Sequence, residues 1–148
     1  VIMMASDLET DPNDVKKLIN LSKRNPSSII TANRWIKGGS FNKYNIIKLY
    51  LNFLFQFILK CIFQTKLSDM TYGYRIFPSK LVKDIQWKEL KHPFLLETIL
   101  KPILMNINII EIPSKWEARL EGISQNSFIQ NFNYIKTALM VRFFWKNK

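Results

Sequence analysis

At 148 residues, 47% of them apolar, the chain is long enough for one domain with its own core and too apolar to be disordered. Its single cysteine, Cys61, cannot form an internal disulfide, which points to a reducing compartment. The net charge of +11 is spread along the chain, so nucleic acid, anionic lipid and phosphorylated substrates all suit it electrostatically. No zinc-finger Cys/His spacing or RNA-binding aromatic consensus is present, however, and sequence-specific nucleic-acid binding is not expected.

Val1–Met4 is a short apolar run suited to a buried strand. The chain opens inside that strand with neither an initiator Met nor a signal peptide, so a fragment lacking earlier strands is expected. The run stops at SDLETDP, which carries Asp7, Glu9 and Asp11. Asp11-Pro12 reads as a helix N-cap followed by proline at the first helical position. Val15, Leu18 and Ile19 then share one helical face, and Lys23-Arg24-Asn25-Pro26 ends the helix. Ser28–Asn33 is a second strand and Lys37–Ser40 a loop. Strand, helix, strand is a βαβ unit, and its parallel strands imply an α/β domain.

Asn45–Phe63 is apolar enough to suggest a membrane span. Yet Lys48, Asn52, Gln56 and Lys60 form one narrow polar stripe, and lysines are costly at a bilayer centre. The expected structure is a long helix, buried in protein or lying at a membrane surface with its stripe to water. Beyond a polar turn come a strand around Tyr74–Phe77, a brief helix at Lys80–Ile85, and a helix at Phe94–Met105 that Pro102 kinks or ends. Asn108–Ile112 is a strand, and Ser114–Ala118 extends it as an edge. Arg119–Ser127 is a polar loop, and Phe132–Trp145 an amphipathic, aromatic helix with a basic end.

Three features carry chemistry. Asp7 stands at the C-terminal end of a strand, where open α/β sheets bind ligands. With Glu9 it offers hard oxygen ligands for Mg²⁺ or Mn²⁺; alternatively, Asp7 caps a turn and Glu9 is solvated. Arg34, Arg75 and Arg119 lie at strand ends or loops beside Gly or Ser, as phosphate clamps would; any one of them alone is more often a surface residue, and the three together make the stronger pattern. Asp69 is either a turn cap or a general base. His92 reads as structural, and one His with one Cys supports no nucleophilic triad.

In this order the pieces resemble family 2 glycosyltransferases, in the branch that contains the dolichol- and polyprenyl-phosphate sugar synthases. The resemblance rests on MMASDLETDPNDVKKLI, ITANRWIKGG, LSDMTYGYRIFP and FLLETILKPILMNINIIEIPSKWEARLEGISQNSF. It implies a GT-A (Rossmann-like) fold: a mixed, mainly parallel sheet flanked by helices, here one domain over residues 1–148 without the first nucleotide-binding strands. It also implies transfer of a sugar from a nucleotide-sugar donor to a polyprenyl phosphate or surface glycan, with Mg²⁺ or Mn²⁺ bridging the donor diphosphate. By resemblance Asp7 is the second acid of an Asp-x-Asp motif whose first position holds Ala5, and Glu9 is a further metal or donor ligand. Asp69 matches the base region, and Arg34, Arg75, Arg119 and Ser124 match phosphate-handling positions. The helices at 45–63 and 132–146 suit the cytoplasmic face of a membrane, or equally a protein core or homo-oligomer. The alternative function is a non-catalytic, membrane- or partner-binding remnant of such a transferase.

Overall fold

The computed structural model describes residues 1–7, 9–118 and 128–146. The chain is mixed α/β. In order its elements are β1 (Ile2–Met3), α1 (Asp14–Arg24), β2 (Ile29–Asn33), β3 (Ser40–Asn42), α2 (Ile46–Phe63), β4 (Arg75–Ile76), α3 (Ser79–Asp84), α4 (Pro93–Leu104), β5 (Ile109–Pro113), β6 (Lys115–Glu117) and α5 (Phe128–Phe144).

The main sheet has the order β1-β4-β2-β5. β2 and β5 are parallel, with Thr31 opposite Glu111 and Asn33 opposite Pro113. β4 runs antiparallel to both β1 and β2 and sits between them. The βαβ unit therefore has an inserted strand, and the sheet is mixed. β3 and β6 form a separate parallel pair, Phe41 opposite Trp116. This changes two sequence expectations. Ser40 begins a strand rather than closing a loop, and 115–117 leaves the main sheet to pair with it instead of prolonging β5.

β2 is buried along its whole length. Ile30 and Ala32 join Leu18 of α1 in one core cluster. On the other face, Ile29 packs with Phe77, Leu81 and Ile85. Farther along that face the strand turns polar, at Thr31 and then Asn33, so the strand's C-terminal end meets a polar interior. Period-two alternation fixes this division of faces. A third cluster joins the C-terminal part of α2 (Leu59, Phe63) to α4 (Leu96, Ile99, Leu100) and α5 (Ala138, Val141).

α1 begins later than the Asp11 cap predicts. Asp11 instead accepts from the Asn13 N–H at 2.9 Å in a preceding turn, and the helix starts at Asp14. Asp14 is buried, paired with Lys17 at 2.7 Å and bonded by the Ser114 hydroxyl at 2.8 Å. That bond ties α1 to the junction of β5 and β6. Pro102 lies inside α4 near its end, and the helix stops two residues later at Leu104.

The largest correction concerns α2. Its polar stripe was expected to face water; the structure turns its middle inward. Gln56 is 3% exposed, while Ile46 and Tyr50 are 73% and 74% exposed, with Ile47, Leu51, Phe53, Leu54, Phe57 and Ile58 also outward. The helix is thus polar on its inner edge and apolar on its outer face. Only Gln56, Leu59 and Phe63 of it are buried, and it is the one helix among the described residues long and apolar enough to cross a membrane by length and composition.

Candidate functional site

The site grows from the C-terminal end of β2. Asn33 is wholly buried and its amide nitrogen donates to the Ser68 hydroxyl and to the Glu111 carboxylate, each at 2.6 Å. Its own oxygen accepts from the Trp35 N–H at 2.6 Å, which turns the chain sharply after Arg34. Gly39 returns against this turn so closely that a Cβ there would lie 2.7 Å from the carbonyl oxygens of Asn33 and Arg34. Only glycine fits that approach.

Arg34 and Asp69 form a buried two-pronged ion pair. Nε donates to Oδ2 at 2.8 Å and Nη2 to Oδ1 at 2.9 Å, while the Arg34 backbone N–H adds a bond to Oδ2 at 3.1 Å. The guanidinium lies between two rings, 4.8 Å from the Phe41 centroid and 4.5 Å from that of Tyr72. Burial alone would lower the Arg34 pKa, but the charge and hydrogen bonds of Asp69 carry it above the ordinary value. Arg34 is the expected cation in place at the strand end, and its Nη1 makes no hydrogen bond among the described residues.

Asp69 is 0% exposed and also accepts from Gln56 Nε2 at 3.3 Å and the Thr71 hydroxyl at 3.5 Å. With three donors from Arg34 besides, its lone pairs are filled. In this arrangement it balances charge and orients its neighbours, and no acceptor site is left for a substrate proton.

Arg75 departs from the phosphate-clamp expectation. It is fully buried, and all five of its N–H groups are engaged: Nε with Thr31, Nη1 with the Leu95 carbonyl and the Thr98 hydroxyl, Nη2 with the Met70 and Tyr72 carbonyls. Burial lowers its pKa to about 10, so it stays cationic at neutral pH. It staples β4 to β2, α4 and the 70–72 segment, and has no donor left for a phosphate.

Asp7 and Glu9 lie at the other rim. Asp7 Oδ1 accepts from the Glu9 backbone N–H at 3.2 Å, and Glu9 Oε2 accepts from the Trp116 indole at 3.1 Å. An aromatic row links them to Arg34: Trp116 and Tyr44 at 4.7 Å, Tyr44 and Phe41 at 5.3 Å, then the Arg34 guanidinium over Phe41. Tyr44 registers both rims. Burial pushes its pKa up, Arg34 works against this, and Glu9 and Asp69 add to it. Two carboxylates leave most of a cation's coordination to substrate phosphate and water, which is the usual scheme for Mg²⁺. In that sense the donor set suits a hard cation. Among the described residues no three His, Cys, Asp or Glu side chains gather as a metal-binding group. Arg119 and Ser124 lie outside the described residues.

Three participants, Asn33, Glu111 and Gln56, escaped the sequence reading. Glu111, on β5, accepts from Asn33 and from the Ser68 N–H at 3.0 Å; burial raises its pKa despite those bonds. Gln56 reaches in from α2, taking the Met70 N–H at 2.9 Å and donating to the Thr71 hydroxyl at 2.8 Å. Asn33 and Glu111 did leave a signal, as polar residues inside otherwise apolar strands. A groove of 220 Å³ beside this network is lined by Trp35, Phe53, Gln56, Phe57, Lys60 and Ser68. A hollow of 340 Å³ at the β3–β6 pair is lined by Asn42, Lys43, Glu117 and Ala118. No protein-family model matches the chain.

Proposed function

We propose that the chain is the GT-A catalytic portion of a family 2 glycosyltransferase, moving a sugar from a nucleotide-sugar donor to a polyprenyl-phosphate or glycan acceptor at the cytoplasmic face of a membrane. The observation that carries this reading is the convergence of three of its motifs on one network. Arg34 and Gly39 from one, Asp69, Thr71 and Arg75 from the next, and Glu111 from the third meet at the end of β2. In this reading Arg34, held by Asp69, presents Nη1 toward donor or acceptor phosphate. Asp7 and Glu9 would hold Mg²⁺ or Mn²⁺, which when bound neutralises charge on the departing diphosphate. A phosphate acceptor is already ionised and needs no base, which accords with an Asp69 whose lone pairs are filled. Membrane association is supported by the outward apolar faces of α2 and α5, where Phe132, Phe143 and Phe144 are also exposed.

Isothermal titration with UDP- and GDP-sugars, with and without Mn²⁺, tests the reading. Metal-dependent binding that Asp7→Ala abolishes is the expected result. A second reading, a non-catalytic membrane- or partner-binding remnant, is favoured by Ala5 and by the full engagement of Arg75. It takes over if no nucleotide sugar binds, or if Asp7→Ala binds as well as the parent.

A further inference from the structure

α2 has two faces with two different neighbours. Its inner edge belongs to the Arg34–Asp69 network. Gln56 takes the Met70 N–H and donates to Asp69 and Thr71; Asn52 donates to Thr71 at 3.3 Å and lies within 3.4 Å of the Gln56 amide. Its outer face is a row of exposed Ile, Leu, Phe and Tyr side chains. The N-terminal part is weakly held: from Ile46 to Phe55 no residue is buried, and its contacts with the other described residues include the Asn52 bond, the ring contacts Phe53–Trp35 at 5.7 Å and Phe55–Tyr134 at 6.3 Å, and the packing of Phe55 on the α2–α4–α5 cluster. Segments with so few buried contacts open at low cost.

The outer face fits an anionic bilayer. Neither α2 nor α5 carries an acidic residue, while Lys48 and Lys136 are exposed on them and Lys43 stands exposed just before α2. Apolar area plus basic flanks is the composition that binds anionic lipid surfaces. A second copy docking on the same face would bring basic residues against basic residues.

We propose that α2 couples lipid docking to the site: a bilayer on the outer face holds the helix in place, and Gln56 on the inner face thereby orders Asp69 and Arg34. Gln56 is then a positioning residue, and a lipid surface switches the site toward its assembled form. The bilayer achieves this because it binds the seated helix better than the opened one, and coupling between the two events is reciprocal. The proposal rests on the transferase reading only for the statement that Arg34 and Asp69 form the working site.

Hydrogen exchange of the chain with and without vesicles of equal parts phosphatidylcholine and phosphatidylglycerol tests it. The probe is the Arg34 amide, which donates to Asp69 Oδ2 at 3.1 Å within the buried network. In the parent, vesicles are expected to slow its exchange about fivefold or more. Gln56→Ala keeps the outer face, so it should still sediment with vesicles but lose that slowing. Tyr50→Ser/Leu54→Ser keeps the inner edge and the groove lining, so it should match the parent in water and lose the response to vesicles; this variant carries the test if Gln56→Ala does not fold. Any one of three results overturns the proposal: a parent that does not sediment with vesicles, vesicle-bound parent with unchanged Arg34 exchange, or slowing that survives in Gln56→Ala. No nucleotide sugar enters this experiment. Its failure therefore leaves the donor titration standing, and failure of the titration leaves the coupling standing.

Discussion

Among the described residues two ion pairs are buried on both sides, and they are built for different ends. Glu97 and Lys101, one turn apart on α4, meet at 2.5 Å and are 2% and 1% exposed. Their remaining partners are mostly backbone. Glu97 accepts the N–H groups of Lys88 and Glu89, and Lys101 donates to the Gln86 carbonyl while lying between the rings of Trp87 and Trp145. That pair closes the loop before α4 onto the helix. Arg34 and Asp69 instead gather side chains from α2 and the 68–72 segment, beside an open groove, and Arg34 keeps Nη1 uncommitted among the described residues. Burial and charge alone do not mark a site. What distinguishes the second pair is that side chains from two other segments converge on it beside the groove, and that Arg34 Nη1 makes no hydrogen bond among the described residues.

The sharpest way to break this comparison is to remove one partner of each pair. Asp69→Ala and Glu97→Ala should each cost about 3–5 kcal/mol in urea unfolding, because each strands a buried cation. Replacing both members should separate them. Glu97→Leu/Lys101→Met is expected to recover stability with nucleotide-sugar binding intact; Asp69→Leu/Arg34→Met is expected to recover stability while binding is lost. If binding survives in the second pair of substitutions, the distinction fails.

Arg75 sharpens the contrast within the site itself. Arg75→Lys removes a fork that serves five acceptors at once, and should cost about 1.5–3 kcal/mol by thermal unfolding without a selective effect on donor affinity. Asp7→Ala should act on binding instead, with Mn²⁺-dependent donor affinity reduced at least about tenfold by titration.

The smallest effect is expected from Glu111. Its folded pKa is raised by burial, so the folded state holds the proton more tightly than the unfolded chain. Its contribution is therefore fully present below the unfolded carboxylate pKa and is lost as pH rises through the raised folded value. Melting temperatures from pH 7 down to about 4.5 should show the parent gaining on Glu111→Gln. A parallel pair of curves would mean that the Ser68 and Asn33 bonds cancel the burial penalty.

Much of the fold was legible in the residues. The short run SIITAN marks β2, the apolar spacing of Val15, Leu18 and Ile19 marks α1, and the long run after Asn45 marks α2; the structure adds that Asn45 caps α2, accepting the Ile47 and Lys48 amides. The ion-pair partner of Arg34 was not legible, because Asp69 is distant in sequence and joined to it only by folding. The same holds for Glu111, which reaches Asn33 through the parallel register of β2 and β5.

By itself the sequence determined the order and type of most elements, since period and capping are local properties of the backbone. It also determined that α2 carries one polar stripe. Which way that stripe points was decided only by tertiary structure. A polar row is satisfied equally by water outside or by hydrogen bonds inside, and nothing local to the helix separates the two. Asp69, Thr71 and the Met70 amide, brought alongside by the packing of α2 on α4 and α5, supplied the inner partners and left the apolar face to the outside.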